Sequence, residues 1–256
     1  MALPDTDVII FYDIPGTVPG SAWSPNTWKT RFALNYKGLP YRTEWVEYPD
    51  IATVLPSLGV EPSTDSTPYT LPAIYDPRTR KTIMDSNKIS LYLDETYPDT
   101  PVLLSAETRV FQTAFEHAFR STLHSKLMPL IMYRIAATAL NPPSSKYFFE
   151  TREKALGVKL EELSPPGSAK RTELWVEAEK GFTIAASWFE AAGDGRLLLS
   201  GDGKVTHADT YVAGCLIFVR LICGPESEDW KRVEGLNGGF WKRYLAAFEK
   251  WADTSR

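Results

Sequence analysis

The sequence predicts an α/β domain at the N-terminus followed by an all-α domain. Three observations point that way. Strand-like and helix-like stretches alternate as far as Tyr97, and after Ser105 the apolar residues recur almost only at helical spacing. Between these parts lies Pro98-Asp99-Thr100-Pro101, where each proline removes a helical N–H and disfavours helix in the residue before it. That break separates residues 1–98 from residues 105–256.

Val8-Ile9-Ile10-Phe11-Tyr12 is β-branched and aromatic, the composition of a buried strand. A Gly- and Pro-rich loop from Asp13 to Trp23 follows. Ser24-Pro25 then opens a helix on which Trp28, Phe32 and Tyr36 share one face. Gly38 ends it, since glycine enters the left-handed conformation of a helix C-terminus without a Cβ clash. Tyr41 to Tyr48 alternates as a second strand, and Ile51 to Leu58 reads as a short helix despite Pro56. After a polar loop over 62–70, Leu71 to Tyr75 predicts a third strand, Asp76 to Arg80 a turn and Lys81 to Met84 a fourth strand. Asp85-Ser86 begins a helix that runs to Tyr97.

In the second half, Ser105 to Leu140 reads as one long helix bent near Pro129 and stopped by Asn141-Pro142-Pro143. Further helices are expected over Tyr147 to Leu163, Ala169 to Ala192, His207 to Ile222 and Gly239 to Trp251. Thr206-His207-Ala208-Asp209 is a capping-box pattern ahead of an apolar helix, which assigns Thr206 and Asp209 to folding.

The charge balance narrows the partners. A net charge of −4, with Lys and Arg dispersed among Asp and Glu, leaves no basic stripe for a phosphate backbone, so no nucleic acid partner is expected. The longest apolar stretch, Tyr211 to Val219, falls short of the roughly 20 residues that a membrane-crossing helix needs, so no membrane partner is expected either. The N-terminal segment lacks the basic start and extended apolar run of a signal peptide, and a cytoplasmic location follows as an expectation. Cys215 and Cys223 lie about two turns apart on one helix, beyond the roughly 7 Å between Cα atoms that a disulfide tolerates. They read as small buried hydrophobes. His117, His124 and His207 form no HxxxH pair and have no CxxC nearby, so no metal site is expected. His117 and His124 share a face of the long helix and read as structural.

Three segments carry chemistry. The first is Ser24-Pro25-Asn26-Thr27-Trp28-Lys29, which leads through Lys37-Gly38-Leu39 into the second strand. A helix N-terminus presents unpaired N–H groups and partial positive charge, which favour an anion such as a thiolate. A side-chain donor placed there lowers the pKa of a bound thiol, each unit corresponding to roughly 1.4 kcal/mol. Ser at N-cap with Pro at N1 is equally an ordinary helix start. The second segment is Thr70-Leu71-Pro72-Ala73-Ile74, a proline at the edge of a strand. The third, Met84-Asp85-Ser86-Asn87, sets an acid and a hydroxyl where strand passes into helix, so that an anion meets the helix end and a cation the carboxylate. Helix capping by Asp85 or Ser86 is the alternative.

Together these segments resemble the glutathione transferases. The Ser-Pro-Asn-Thr-Trp-Lys opening and the aromatic-rich first helix are most similar to the fungal-specific class A, itself similar to bacterial β-aryl-etherases. The resemblance covers nearly the whole chain and implies a thioredoxin-like first domain that holds glutathione, with an all-helical second domain shaping the hydrophobic substrate site. It implies that Pro72 is cis, that Leu71 pairs backbone to backbone with the cysteinyl part of glutathione, and that Asp85 and Ser86 hold the γ-glutamyl end. Ser24 is the implied thiolate-stabilising residue. Asn26 is its main rival and Ser21 a third, because the loop before the helix is longer than in most relatives. Trp23, Phe115, Phe119 and Tyr133 are candidate aromatic walls, with core packing the alternative for each. The chemistry implied is attack by glutathione thiolate on hydrophobic or aromatic electrophiles, by conjugation or ether cleavage, in a homodimer. Two other functions stay open: a ligandin-type carrier of aromatic or phenolic compounds such as wood extractives, and a scaffold module without glutathione chemistry, like those of translation factors.

Overall fold

The computed structural model describes residues 8–64, 67–201 and 203–256. Expectations for the segment before Val8, and for Asp65 and Ser66 of the polar loop, lie outside the described residues.

Four strands form one mixed sheet in the order β2-β1-β3-β4: β1 Ile9–Asp13, β2 Tyr41–Trp45, β3 Ala73–Asp76 and β4 Lys81–Met84. β1 and β2 are parallel, with Phe11 opposite Thr43, while β3 is antiparallel to both β1 and β4. Helices α1 (Pro25–Lys37), α2 (Ile51–Ser57) and α3 (Ser86–Thr96) complete a thioredoxin-like domain. The third strand begins two residues later than expected, after Pro72, which has no N–H to give to a ladder.

α1 is the hinge between two cores. Leu34 joins Phe11, Ile74, Ile89 and Leu93 over the sheet, while Trp28 and Phe32 join the larger core of the helical domain. Phe32 meets Phe248 edge-on at 5.1 Å between ring centroids. Each such fully buried side chain contributes about 1.5–3 kcal/mol, against about 1 kcal/mol for a side-chain N-cap. Packing therefore holds α1 in place, which leaves its first turn free for another use.

The helical domain comprises α4 (Arg109–Phe119), α5 (Ser125–Arg134), α6 (Pro142–Leu156), α7 (Ala169–Glu190), α8 (His207–Cys223) and α9 (Glu228–Ala246). The single long helix expected here starts at Arg109 and is interrupted by two wide π turns, Arg120–His124 and Ile135–Ala139. These flank Pro129, which sits inside α5. The first π turn lies against α7 at Gly181, where a Cβ would run into the carbonyl oxygen of Thr122. The long helix ends at Ala139, just ahead of Asn141-Pro142-Pro143 as expected, but those residues also start α6, five residues before the expected Tyr147, with Asn141 at N-cap and proline in the first turn, where no N–H is needed. α9 begins eleven residues before the expected Gly239 and is broken at 236–239, where Asn237, Gly238 and Gly239 all have positive φ.

The linker between the domains is pinned by Asp94, which accepts from the backbone N–H groups of Leu103 and Leu104 and from Lys37 Nζ at 2.7 Å. His207 N–H donates to the Leu103 carbonyl, so the start of α8 is tied to the same linker.

Candidate active site

A cavity of about 640 Å³ opens between the first domain and the long helix. The first domain contributes Asn26 and Lys29 from α1, Thr70, Leu71 and Pro72 ahead of β3, and Asp85 and Ser86 at the start of α3. The facing wall is Arg120, His124 and Ser125, then Met128, Pro129 and Met132, with Leu156, Leu163 and Tyr211 closing it. Arg120 and Met132 are twelve residues apart, about 18 Å along a helix, so the cavity has a charged end and an apolar end.

Backbone geometry shapes the charged end. The Leu71-Pro72 peptide is cis, and the Pro72 carbonyl accepts from Asp85 N–H at 3.1 Å, which locks the pre-β3 turn to the entry of α3. Leu71 thus precedes the ladder, and its own N–H and C=O make no hydrogen bond among the described residues. Asp85 has φ 88° and ψ 128°, a conformation that costs a non-glycine residue on the order of 1–3 kcal/mol. Its carboxylate partly offsets this by capping α3, with Oδ1 accepting from Asn87 N–H and Lys88 N–H at 3.0 Å each. Ser86 beside it is buried yet lines the cavity.

At the start of α1 the two rival hydroxyl and amide residues part company. Ser24 is buried at the N-cap, is not among the cavity-lining residues, and its side chain caps no N–H. Asn26 is exposed on the cavity, and its amide makes no hydrogen bond among the described residues. Ser21 lies in the preceding loop at φ 60° and does not reach the cavity lining. The four aromatic candidates also lie elsewhere. Trp23 is packed between Tyr48 and Phe218, and Phe119 is buried against Tyr211 and Trp241. Phe115 stacks on Phe119 and meets Trp188 edge-on, and Tyr133 is exposed beside Phe149. The reason is rotational: Arg120, His124 and Met128 recur every four residues on one face of the long helix and line the cavity, while Phe115 and Phe119 fall on the face turned into the core.

Below the charged end lies a network that ties the two domains together. Lys29 is 9% exposed, with Nζ 4.4 Å from the centroid of the Tyr211 ring. Burial pulls its ammonium down to about 8, although the nearby Glu116 and Asp85 carboxylates work against this. Glu116 is pushed up to about 7 by burial, opposed by Lys29. Its Oε1 lies 3.4 Å from His207 Nε2, and His207 Nδ1 lies 2.8 Å from Ser90 Oγ. Burial holds His207 down at about 3 and His124 at about 4, so both imidazoles are neutral at pH 7. His124, read from sequence as structural, is on the cavity wall.

The comparisons with known proteins agree with this geometry. Residues 23–96 match the family model described as glutathione S-transferase, N-terminal domain, and residues 110–251 the model for the C-terminal domain. The chain belongs to the glutathione S-transferase family. It is 31% identical over 259 residues to the glutathione S-transferase-like protein ustS of Aspergillus flavus, covering 95% of this chain and 90% of that protein. It also resembles the glutathione S-transferase CsGST63524 of Ceriporiopsis subvermispora, solved in complex with glutathione, at 49% identity and a TM-score of 0.92 over 96% of this chain and 98% of that one. The transferase GSTFuA3 of Phanerochaete chrysosporium is similar at 45% identity and a TM-score of 0.89, with coverage of 96% and 98%.

In this transferase the cavity residues not anticipated from sequence include Lys29, Arg120, Tyr211, Met128 and Met132. For Lys29 a signal existed, since it follows Asn26 by three residues and so shares its helix face. For the others the roll of the long helix and of α8 against their neighbours had to be known first.

Proposed function

We propose that this transferase binds glutathione at the charged end of the cavity and directs its thiolate at a hydrophobic or aromatic electrophile held at the apolar end. One observation carries this reading. The cis Leu71-Pro72 turn, the strained Asp85 with Ser86, and the open first turn of α1 meet on one wall, opposite Met128, Pro129 and Met132. The γ-glutamyl end belongs at Asp85 and Ser86, the former offering its carboxylate to an ammonium and the latter its hydroxyl and N–H to a carboxylate. The cysteinyl backbone runs along the unpaired N–H and C=O of Leu71. Its sulfur then comes to the first turn of α1, where Asn26, rather than the buried Ser24, has the amide donor free for a thiolate. Held this way, the nucleophile is oriented toward the electrophile, and loss of the thiol proton is favoured by the helix end. In the bound complex the thiolate attacks carbon, either adding to it or displacing a leaving group as in ether cleavage.

Residues 1–98 serve the glutathione side in this reading and residues 105–256 the second substrate. A cytoplasmic homodimer is part of it, and sedimentation of the purified protein checks the stoichiometry.

The deciding experiment is calorimetric titration with glutathione in two buffers of different ionisation enthalpy. Binding with proton release, diminished in Asn26→Ala, is the expected result. Binding without release favours a carrier that uses the apolar end to hold phenolic compounds. No binding overturns the glutathione reading.

A further inference from the structure

Lys29 is a cation without an anion. It is nine-tenths buried, lines the cavity, and makes no hydrogen bond or ion pair among the described residues; its Nζ rests on the face of Tyr211. A buried ammonium in that condition is costly unless a partner arrives. Two carboxylates are near enough to influence it, yet neither lies within ion-pairing distance. Asp85 is turned to the end of α3, where its Oδ1 caps two N–H groups. Glu116 is turned to His207, where its Oε1 lies 3.4 Å from Nε2. The other charged group facing Lys29 is Arg120, from the π turn of the opposite wall, and it repels; His124 and His207 are neutral.

The position along the cavity says which anion is missing. Lys29 stands one turn deeper on α1 than Asn26 and feels the charge of Asp85, so it borders the Asp85-Ser86 end and not the apolar end. We propose that Lys29 is a glutathione-anchoring residue whose Nζ forms an ion pair with the α-carboxylate of the γ-glutamyl group, opposite the Ser86 hydroxyl. This rests on the glutathione reading above. The carboxylate is then held from two sides, by α3 and by α1, while Asp85 Oδ2 remains for the adjacent ammonium. The Tyr211 ring holds the Lys29 ammonium in place before the ligand arrives, so little side-chain entropy is lost on binding.

The test removes the cation and each ligand carboxylate in turn. Dissociation constants are measured by calorimetry for wild type and Lys29→Met with three ligands: glutathione, 4-aminobutyryl-Cys-Gly, which lacks the γ-glutamyl α-carboxylate, and the glycyl ethyl ester of glutathione. Lys29→Met is expected to weaken glutathione by roughly 10- to 100-fold, the range of a charge-assisted hydrogen bond. The same substitution leaves 4-aminobutyryl-Cys-Gly within about twofold of wild type, since that partner is already gone, and penalises the ester as much as glutathione. Lys29→Arg, which keeps the charge, retains most of the preference for the α-carboxylate. An unchanged affinity for glutathione overturns the assignment. So does a penalty that persists with 4-aminobutyryl-Cys-Gly, or one that vanishes with the ester, which transfers Lys29 to the glycyl carboxylate. Should Lys29→Met not fold, Lys29→Gln carries the same comparison. Wild type that binds none of the three ligands overturns the glutathione reading itself.

Discussion

Two helices that pack against each other, α1 and α8, both begin at a hydroxyl residue, and the two starts do opposite things. They touch closely: a Cβ on Gly214 would lie 2.9 Å from the Pro25 carbonyl oxygen. At α8 every terminal group is occupied. Thr206 Oγ1 accepts from Asp209 N–H, Asp209 Oδ2 accepts from Thr206 N–H, and Asp209 Oδ1 accepts from Leu199 N–H and from the Tyr244 hydroxyl. At α1 the Ser24 side chain caps nothing, Pro25 has no N–H, and Asn26 and Thr27 N–H make no hydrogen bond among the described residues. A helix start satisfied by its own side chains is a structural joint. One left unsatisfied beside a cavity is a surface prepared for an anion.

The contrast breaks most severely at Asp209. Asp209→Ala leaves the Tyr244 hydroxyl and Leu199 N–H buried without an acceptor and dissolves the capping box, so unfolding free energy should drop by about 3 kcal/mol or more. Urea denaturation measures this; a loss below about 1 kcal/mol would show that the box is dispensable. The mirror experiment sits at α1. Asn26→Ala should lower kcat/KM by about 100-fold, the effect of removing one donor from a developing anion, with stability changed by less than about 0.5 kcal/mol. Ser24→Ala should do neither. Should Ser24→Ala cost the activity while Asn26→Ala spares it, the assignment of the two residues reverses.

A smaller effect is expected at Gly181. Gly181→Ala forces a methyl group against the Thr122 carbonyl, which should cost about 1–3 kcal/mol and displace the turn that carries Arg120 and His124. The affinity for hydrophobic ligands should fall with it, read by displacement of a fluorescent aromatic probe.

The mildest test is a pH profile. Burial raises Glu116 from 4.5 to about 7, so between those values the native protein holds a proton that the unfolded chain has released. Its contribution to stability is complete below pH 4.5 and is lost as pH rises through about 7. Glu116→Gln stays neutral, so its Tm relative to wild type should be higher at pH 8 than at pH 5. Equal differences at both pH values would show that Glu116 keeps an ordinary carboxyl pKa.

Local chemistry was legible where it depends on neighbours in sequence. The Thr206–Asp209 box, the Gly38 stop, and the strand-to-helix step at Asp85-Ser86 all follow from residues within four positions of one another. The same reasoning found the stop at Asn141-Pro142-Pro143 but placed the next helix too late, because the prolines that end one helix also open α6. It missed the first half of α9, whose pattern is broken by left-handed residues at 237–239.

What the amino-acid sequence determined by itself was the alternation of strands and helices before Pro98, the helical run after it, and the residue types suited to a thiol, a carboxylate and an ammonium. Those depend on periodicity and on backbone preferences that act over a few residues. What only the tertiary structure decided was orientation. Whether Ser24 or Asn26 meets the cavity depends on how α1 is rolled between the sheet and α8, and whether Phe119 or His124 does depends on how the long helix is rolled against α7 and α8. A shift of one residue turns a helix by about 100°, enough to exchange a wall for a core, and that rotation is set by packing partners far away in the chain.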